Sequence, residues 1–145
     1  MESNDNLVQQ FKIINIIYYA LGAGMLMSAA MFTFMIQSGA MPVEDSLSGI
    51  MKFVVPAMGV GSFAIGKLLY NNFAAKSKEE TDETVKINNY RTASLIQWAT
   101  LEGSGLFSSI CYLITGDPLF LVFFAMIFVG YILSKPSISK FQQDF

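Results

Sequence analysis

The stretch Leu95-Ile96-Gln97-Trp98-Ala99-Thr100-Leu101-Glu102-Gly103-Ser104-Gly105-Leu106-Phe107 reads as the middle of a membrane-spanning helix that carries one carboxylate. No arginine, lysine or histidine lies within a helical turn of Glu102 in sequence. An ionisable group at that depth is expensive and marks a functional-site hypothesis by default. The apolar run around it extends from about 93 to 115, close to the roughly 20 residues that a helix needs to cross a hydrocarbon core of about 30 Å.

Outward from this stretch, three more segments meet or approach the same requirement. They are about 13–36, ended by Gln37-Ser38-Gly39; 51–73; and about 119–134, closed by Pro136. The last is the shortest and calls for local thinning or little tilt. Gly116-Asp117-Pro118 separates the third segment from the fourth: glycine stops one helix, aspartate caps the next, and proline takes the first helical position, where no donor is wasted. Asn88 or Asn89 offers an N-cap for the third. The expectation is an all-α polytopic membrane protein, a single membrane domain over residues 1–145 with four transmembrane helices in an up-down bundle.

Basic residues orient it. Lys12, Lys76, Lys78, Lys86, Arg91, Lys135 and Lys140 fall on one side and Lys52 alone on the other, so positive-inside counting places both termini and the loop at 74–92 in the cytoplasm. The expected location is a plasma membrane, as in the bacterial inner membrane. The acidic, polar start Met1-Glu2-Ser3-Asn4-Asp5-Asn6 is unlike a secretory leader, so the first apolar run is expected to remain in the mature chain. In the middle loop, Lys76 with Glu80, Lys78 with Asp82, and Asp82 with Lys86 are spaced to support solvated helical extensions. Pro42 with Glu44 and Asp45 suggests an interfacial helical turn in the outer loop.

Helices in lipid associate through close backbone approach and polar contacts. Small residues at four-residue spacing permit that approach: Ala20, Gly24 and Ser28 on the first span; Ala57 with Gly61 and Ser62 with Gly66 on the second; Ala99 with Gly103 and Gly105 with Ser109 on the third. The fourth, rich in phenylalanine, is expected to face lipid. Pro56 removes a backbone donor inside the second span and predicts a kink there.

On a helical wheel Glu102 shares a face with Leu95, Trp98, Ala99, Gly105, Leu106 and Ser109. Three readings stay open. Lys67, at a comparable depth on the second span, is within a lysine's reach for an ion pair; a protonated Glu102 donates a hydrogen bond, with Ser109 or a neighbouring helix as acceptor; or the acid handles protons or cations, since a carboxyl sealed from cations is held neutral until water reaches it.

Composition narrows the function. Apolar residues make up 53% of the chain and charged ones 14%, and the mean hydropathy is +0.48, which suits a membrane bundle. The basic residues form no stripe interleaved with aromatics, so nucleic acid is not an expected partner. Histidine is absent and cysteine occurs once, at Cys111, which excludes disulfide frameworks and His/Cys zinc sites. No nucleophile-base pair, metal-binding acid cluster or phosphate loop is present, so neither enzyme activity nor a cofactor or metal is expected.

Together, Gly59-Val60-Gly61, Ile65-Gly66, the basic loop with Arg91, and the acid in Ala99-Thr100-Leu101-Glu102-Gly103 make spans two and three resemble the helical hairpin of the rotary ATP synthase proteolipids, the subunit c family. The resemblance covers about half of the chain and implies Glu102 as an ion-binding acid. The loop here is longer and more acidic than that family's turn, and there are four spans. Two functional expectations result: a non-enzymatic accessory subunit or oligomer-forming bundle, with the bilayer and either further copies or a membrane-protein partner around it; or a proton- or cation-translocating protein using Glu102, with Gln97, Ser104, Ser108 or Ser109 along a polar path.

Overall fold

The computed structural model describes the backbone of residues 2–145 and the side chains of residues 5–145. It is all helix: α1 Glu2–Gln37, a short 3-10 turn Asp45–Leu47, α2 Ser48–Ser77, α3 Glu83–Thr115, α4 Leu119–Leu133 and α5 Ile138–Asp144. Among the described residues, two stretches are long and apolar enough to cross a membrane, 5–37 and 45–77; α4 and α5 qualify only as a pair, bent by 73°. α4 has just 15 residues. α3 is long enough at 33 residues, but its apolar character is diluted by Gln97, Glu102 and a series of serines. All four of those serines, Ser94, Ser104, Ser108 and Ser109, are turned inward and buried.

The four long helices alternate in direction. Phe11 meets Tyr90 and Tyr18 meets Trp98, so α1 and α3 run parallel. Ser62 bonds Ser104 while Asn89 bonds Ser77, so α2 is antiparallel to α3. Ser108 with Phe120 and Trp98 with Ser134 make α4 antiparallel to α3 as well. α3 is the hub: it packs on α2, α4 and α1, whereas α1 and α2 make no substantial contact with each other. One face of α3, between α1 and α2, is therefore left open, and Ala99, Gly103, Ile110 and Ile114 are exposed along it.

The ends follow local chemistry. Gly39 and Gly116 both take positive φ, 69° and 66°, where a Cβ would be strained, and each closes the helix before it. Asp117 Oδ1 accepts from the Leu119 amide at 3.0 Å, capping α4 as its position predicts, while Oδ2 holds Lys52 at 2.9 Å and Ser48 at 3.1 Å. α3 starts nearly two turns earlier than either asparagine implies: Asp82 is its N-cap, accepting from the Thr84 amide at 2.8 Å. The helices do extend beyond the apolar spans, but 78–82 is the turn itself, so the four-apart charge pairs that need a helix there do not form as a ladder. Pro42 does not start a helix; the turn begins at Asp45, after Glu44 has used its amide on the Ile114 carbonyl at 2.9 Å. α2 runs unbroken through Pro56.

After Pro136 the chain turns back, and α5 plugs the lysine-rich end of the bundle. Phe141 and Phe145 are buried against Tyr90, at ring distances of 5.5 and 5.3 Å, and Phe11 completes the cluster. One layer deeper, Tyr18 and Tyr131 stack at 4.8 Å; Tyr131 donates to the Tyr18 carbonyl at 2.5 Å and Tyr18 to the Tyr131 carbonyl at 3.3 Å. Trp98 Nε1 donates to the Ser134 carbonyl at 3.1 Å, satisfying an acceptor that the end of α4 leaves without an intrahelical partner.

Candidate functional site

Glu102 projects from α3 toward α1, where a Cβ on Gly24 would lie 4.0 Å from Oε1. The side chain is half-buried, on the edge of the open face rather than sealed among small residues. The physical reason is the missing contact between α1 and α2, which leaves α3 uncovered beside it. No hydrogen bond or ion pair joins Glu102 to another described side chain. Tyr131 of α4 lies within electrostatic reach of it, but spends its hydroxyl on Tyr18.

Neither expected partner engages the acid. Lys67 sits on the side of α2 that faces α4 and α5, where it lines a cavity with Ser94 and Gln97; equal depth along two helices does not bring side chains to the same side. Ser109 Oγ donates at 3.1 Å to the Gly105 carbonyl of its own helix. The polar residues of α3 are likewise committed in different directions. Ser104 bonds Ser62 and the Thr100 carbonyl, Ser108 donates to the Phe120 carbonyl at 2.7 Å, and Gln97 lies against Gly66.

The small residues divide into two sets. At Gly66 a Cβ would come within 3.0 Å of Thr100 Oγ1 and 3.3 Å of Gln97 Cα, and at Gly105 within 2.5 Å of Met25 Cε; these two glycines permit the approach of α2 and α1 to α3, as their spacing predicts. Ser28 donates to the Gly24 carbonyl at 2.8 Å, within α1. Gly61 and Gly103, also expected in helix packing, are not used for it within the chain: a Cβ on either meets nothing within 4 Å. Pro56 lines a groove between α2 and α4. No group of three or more His, Cys, Asp or Glu side chains among the described residues is placed to hold a metal.

Sequence reasoning missed two features. One is the aromatic plug, whose signal was the four-residue spacing of Phe141 and Phe145 after a proline. The other is the convergence of Lys67, Lys135 and Lys140 on one cavity; in sequence Lys135 and Lys140 bear only on orientation, and Lys67 only on Glu102. No family model, no curated protein and no solved structure matches this chain.

Proposed function

We propose that this chain is a small non-enzymatic integral membrane protein in which all four long helices cross the bilayer, lysine-rich end in the cytoplasm, and that it serves as an accessory or self-assembling subunit of a larger membrane assembly. The membrane reading is supported by the outer surface: Met27, Phe34, Phe53, Val60 and Leu133 are each at least 70% exposed, an apolar display that suits lipid and not water. The alternation of helix direction and the inward-turned serines of α3 support the third and fourth crossings.

The assembly role rests on one observation, the open face of α3. Ala99 and Gly103 are exposed there, four residues apart, with the half-buried Glu102 at the edge. In lipid such a floor favours close approach of another helix, and a donor on that helix satisfies the carboxyl. Gly103→Cys in a Cys111→Ala background tests this by crosslinking in native membranes: adducts with a second copy or a larger partner are expected. A chain that crosslinks to nothing, and purifies as a monomer in mild detergent, overturns the reading.

A second reading is proton or cation translocation, favoured by the absence of any ion-pair or hydrogen-bond partner for Glu102 among the described side chains. The proteolipid likeness goes with it, since Glu102 is the acid that likeness implies. It requires pH- or sodium-dependent flux in proteoliposomes that Glu102→Gln abolishes; equal flux in the variant removes it.

A further inference from the structure

α2 and α4 run parallel, and the seam between them is only loosely closed. At the lysine-rich end it opens into a cavity of about 300 Å³ that Lys67, Lys135 and Lys140 line together with Tyr70 and Gln97. Deeper along the same seam lies an apolar groove of about 260 Å³, walled by Pro56, Val60 and Met126 and floored by Gly59 and Gly130. Phe63 and Gly130 line both, and the Phe63 ring lies over Gly130 where the polar cavity borders the apolar groove.

The charges favour an anion. Lys67 is exposed on an apolar stretch, between Ile65 and Leu68 at 54% and 61% exposure, and has no ion-pair partner among the described residues. A lysine at such a position reaches for the headgroup level. Lys140 donates to the Leu133 and Lys135 carbonyls at 3.2 and 3.3 Å, which leaves a third ammonium proton free. Lys135 lines the cavity as well, with its ammonium 5.9 Å above the Tyr19 ring of α1. Among the described residues the one side-chain carboxylate lining the cavity, Asp144, is held against the α2 wall by the Tyr70 hydroxyl, which donates to it at 3.1 Å.

The dimensions favour a lipid. Residues 56 to 71 of α2 line the two compartments in turn and span about 22 Å at a rise of about 1.5 Å per residue. That is the depth of one leaflet, roughly 20 to 22 Å with its headgroups. We propose that the α2–α4 seam binds one anionic phospholipid of the cytoplasmic leaflet, its phosphate among Lys67, Lys135 and Lys140 and an acyl chain along the groove to Pro56. The inference rests on the membrane reading above, and incorporation of the full chain into lipid nanodiscs checks that reading first.

Native mass spectrometry of the incorporated chain then compares retained phosphatidylglycerol with phosphatidylcholine of the same chains. Phosphatidylglycerol is expected to be retained preferentially, and Lys67→Gln to reduce that preference about five-fold. Gly130→Leu fills the groove and is expected to abolish lipid retention; Val60→Trp on the exposed rim serves if α4 is disturbed. Equal retention of the two lipids, or no change in Lys67→Gln, overturns the inference while leaving the membrane reading standing. Competition by soluble glycerol phosphate at the concentration of the whole lipid assigns the cavity to a free phosphate and overturns the lipid. A chain that does not enter the nanodisc overturns both.

Discussion

Gly103 and Gly105 stand two residues apart on α3 and serve opposite purposes. Gly105 is buried beneath Met25 and Phe124, and its missing side chain is what lets α1 and α4 close on the hub; Gly103 looks onto empty space. Small-residue spacing in a membrane helix therefore announces close approach without naming the neighbour. On α3 one set of small residues is used within the chain, and the other remains available to whatever lies outside it.

The comparison breaks most visibly at the adjacent pair Trp98 and Ala99. Trp98 is fully buried, packs edge-on to Tyr18 at 5.2 Å and bonds the end of α4, whereas Ala99 is exposed. Trp98→Ala is expected to cost about 3 to 5 kcal/mol, read as a lowered unfolding midpoint in detergent, and Ala99→Leu to stay within about 0.5 kcal/mol of the parent. Similar losses from both would mean that α3 has no free face.

Gly105→Val and Gly103→Val sharpen the same contrast at lower cost. The new branch at residue 105 meets Met25 Cε at 2.5 Å or closer, and Met25, itself fully buried, has little room to yield; overpacking of this kind costs about 1 to 3 kcal/mol. At residue 103 the unfolding midpoint is expected to hold while assembly weakens. The readouts are thermal unfolding for the first and crosslinking yield for the second, and an exchange of the two outcomes would refute the division of labour.

How far the sequence carried follows the same line. Helix positions were legible because apolar length and terminal residues are local: α1, α3 and α4 end within a few residues of the turns marked by Gly39, Gly116 and Pro136. The start of α3 lies earlier than the sequence suggests because a helix need not stop where its apolar run ends, and Asp82, not Asn88 or Asn89, supplies the cap. The pairing of Lys67 with Glu102 failed because depth was read from residue counts, which give a level along the helix but not the side each residue presents once α4 lies beside α2. Glu102 was visible as an isolated acid; its place at the border of an open face depended on which helices touch, and no local pattern encodes that.

The smallest expected effect separates the two ends of α3. At the lysine-rich end α5 holds the helix through buried rings, whereas at the other end Asp117 does so through charge. The Leu119 amide, then the Lys52 ammonium and the Ser48 hydroxyl, hold the Asp117 carboxyl below the ordinary carboxylate range. The unfolded chain, lacking these contacts, takes up the proton first as the solution is acidified. The contribution of Asp117 is thus fully present above the unfolded value of about 4 and is lost as pH falls through the lower folded value. Because the pair is partly exposed, with side chains 42% and 21% accessible, the effect should stay under about 1 kcal/mol. Asp117→Asn should lower the unfolding midpoint at neutral pH and converge with the parent in acid, whereas Phe141→Ala at the opposite end should lower it equally at both. A constant gap for Asp117→Asn across that range would show that charge does not hold this end of the bundle.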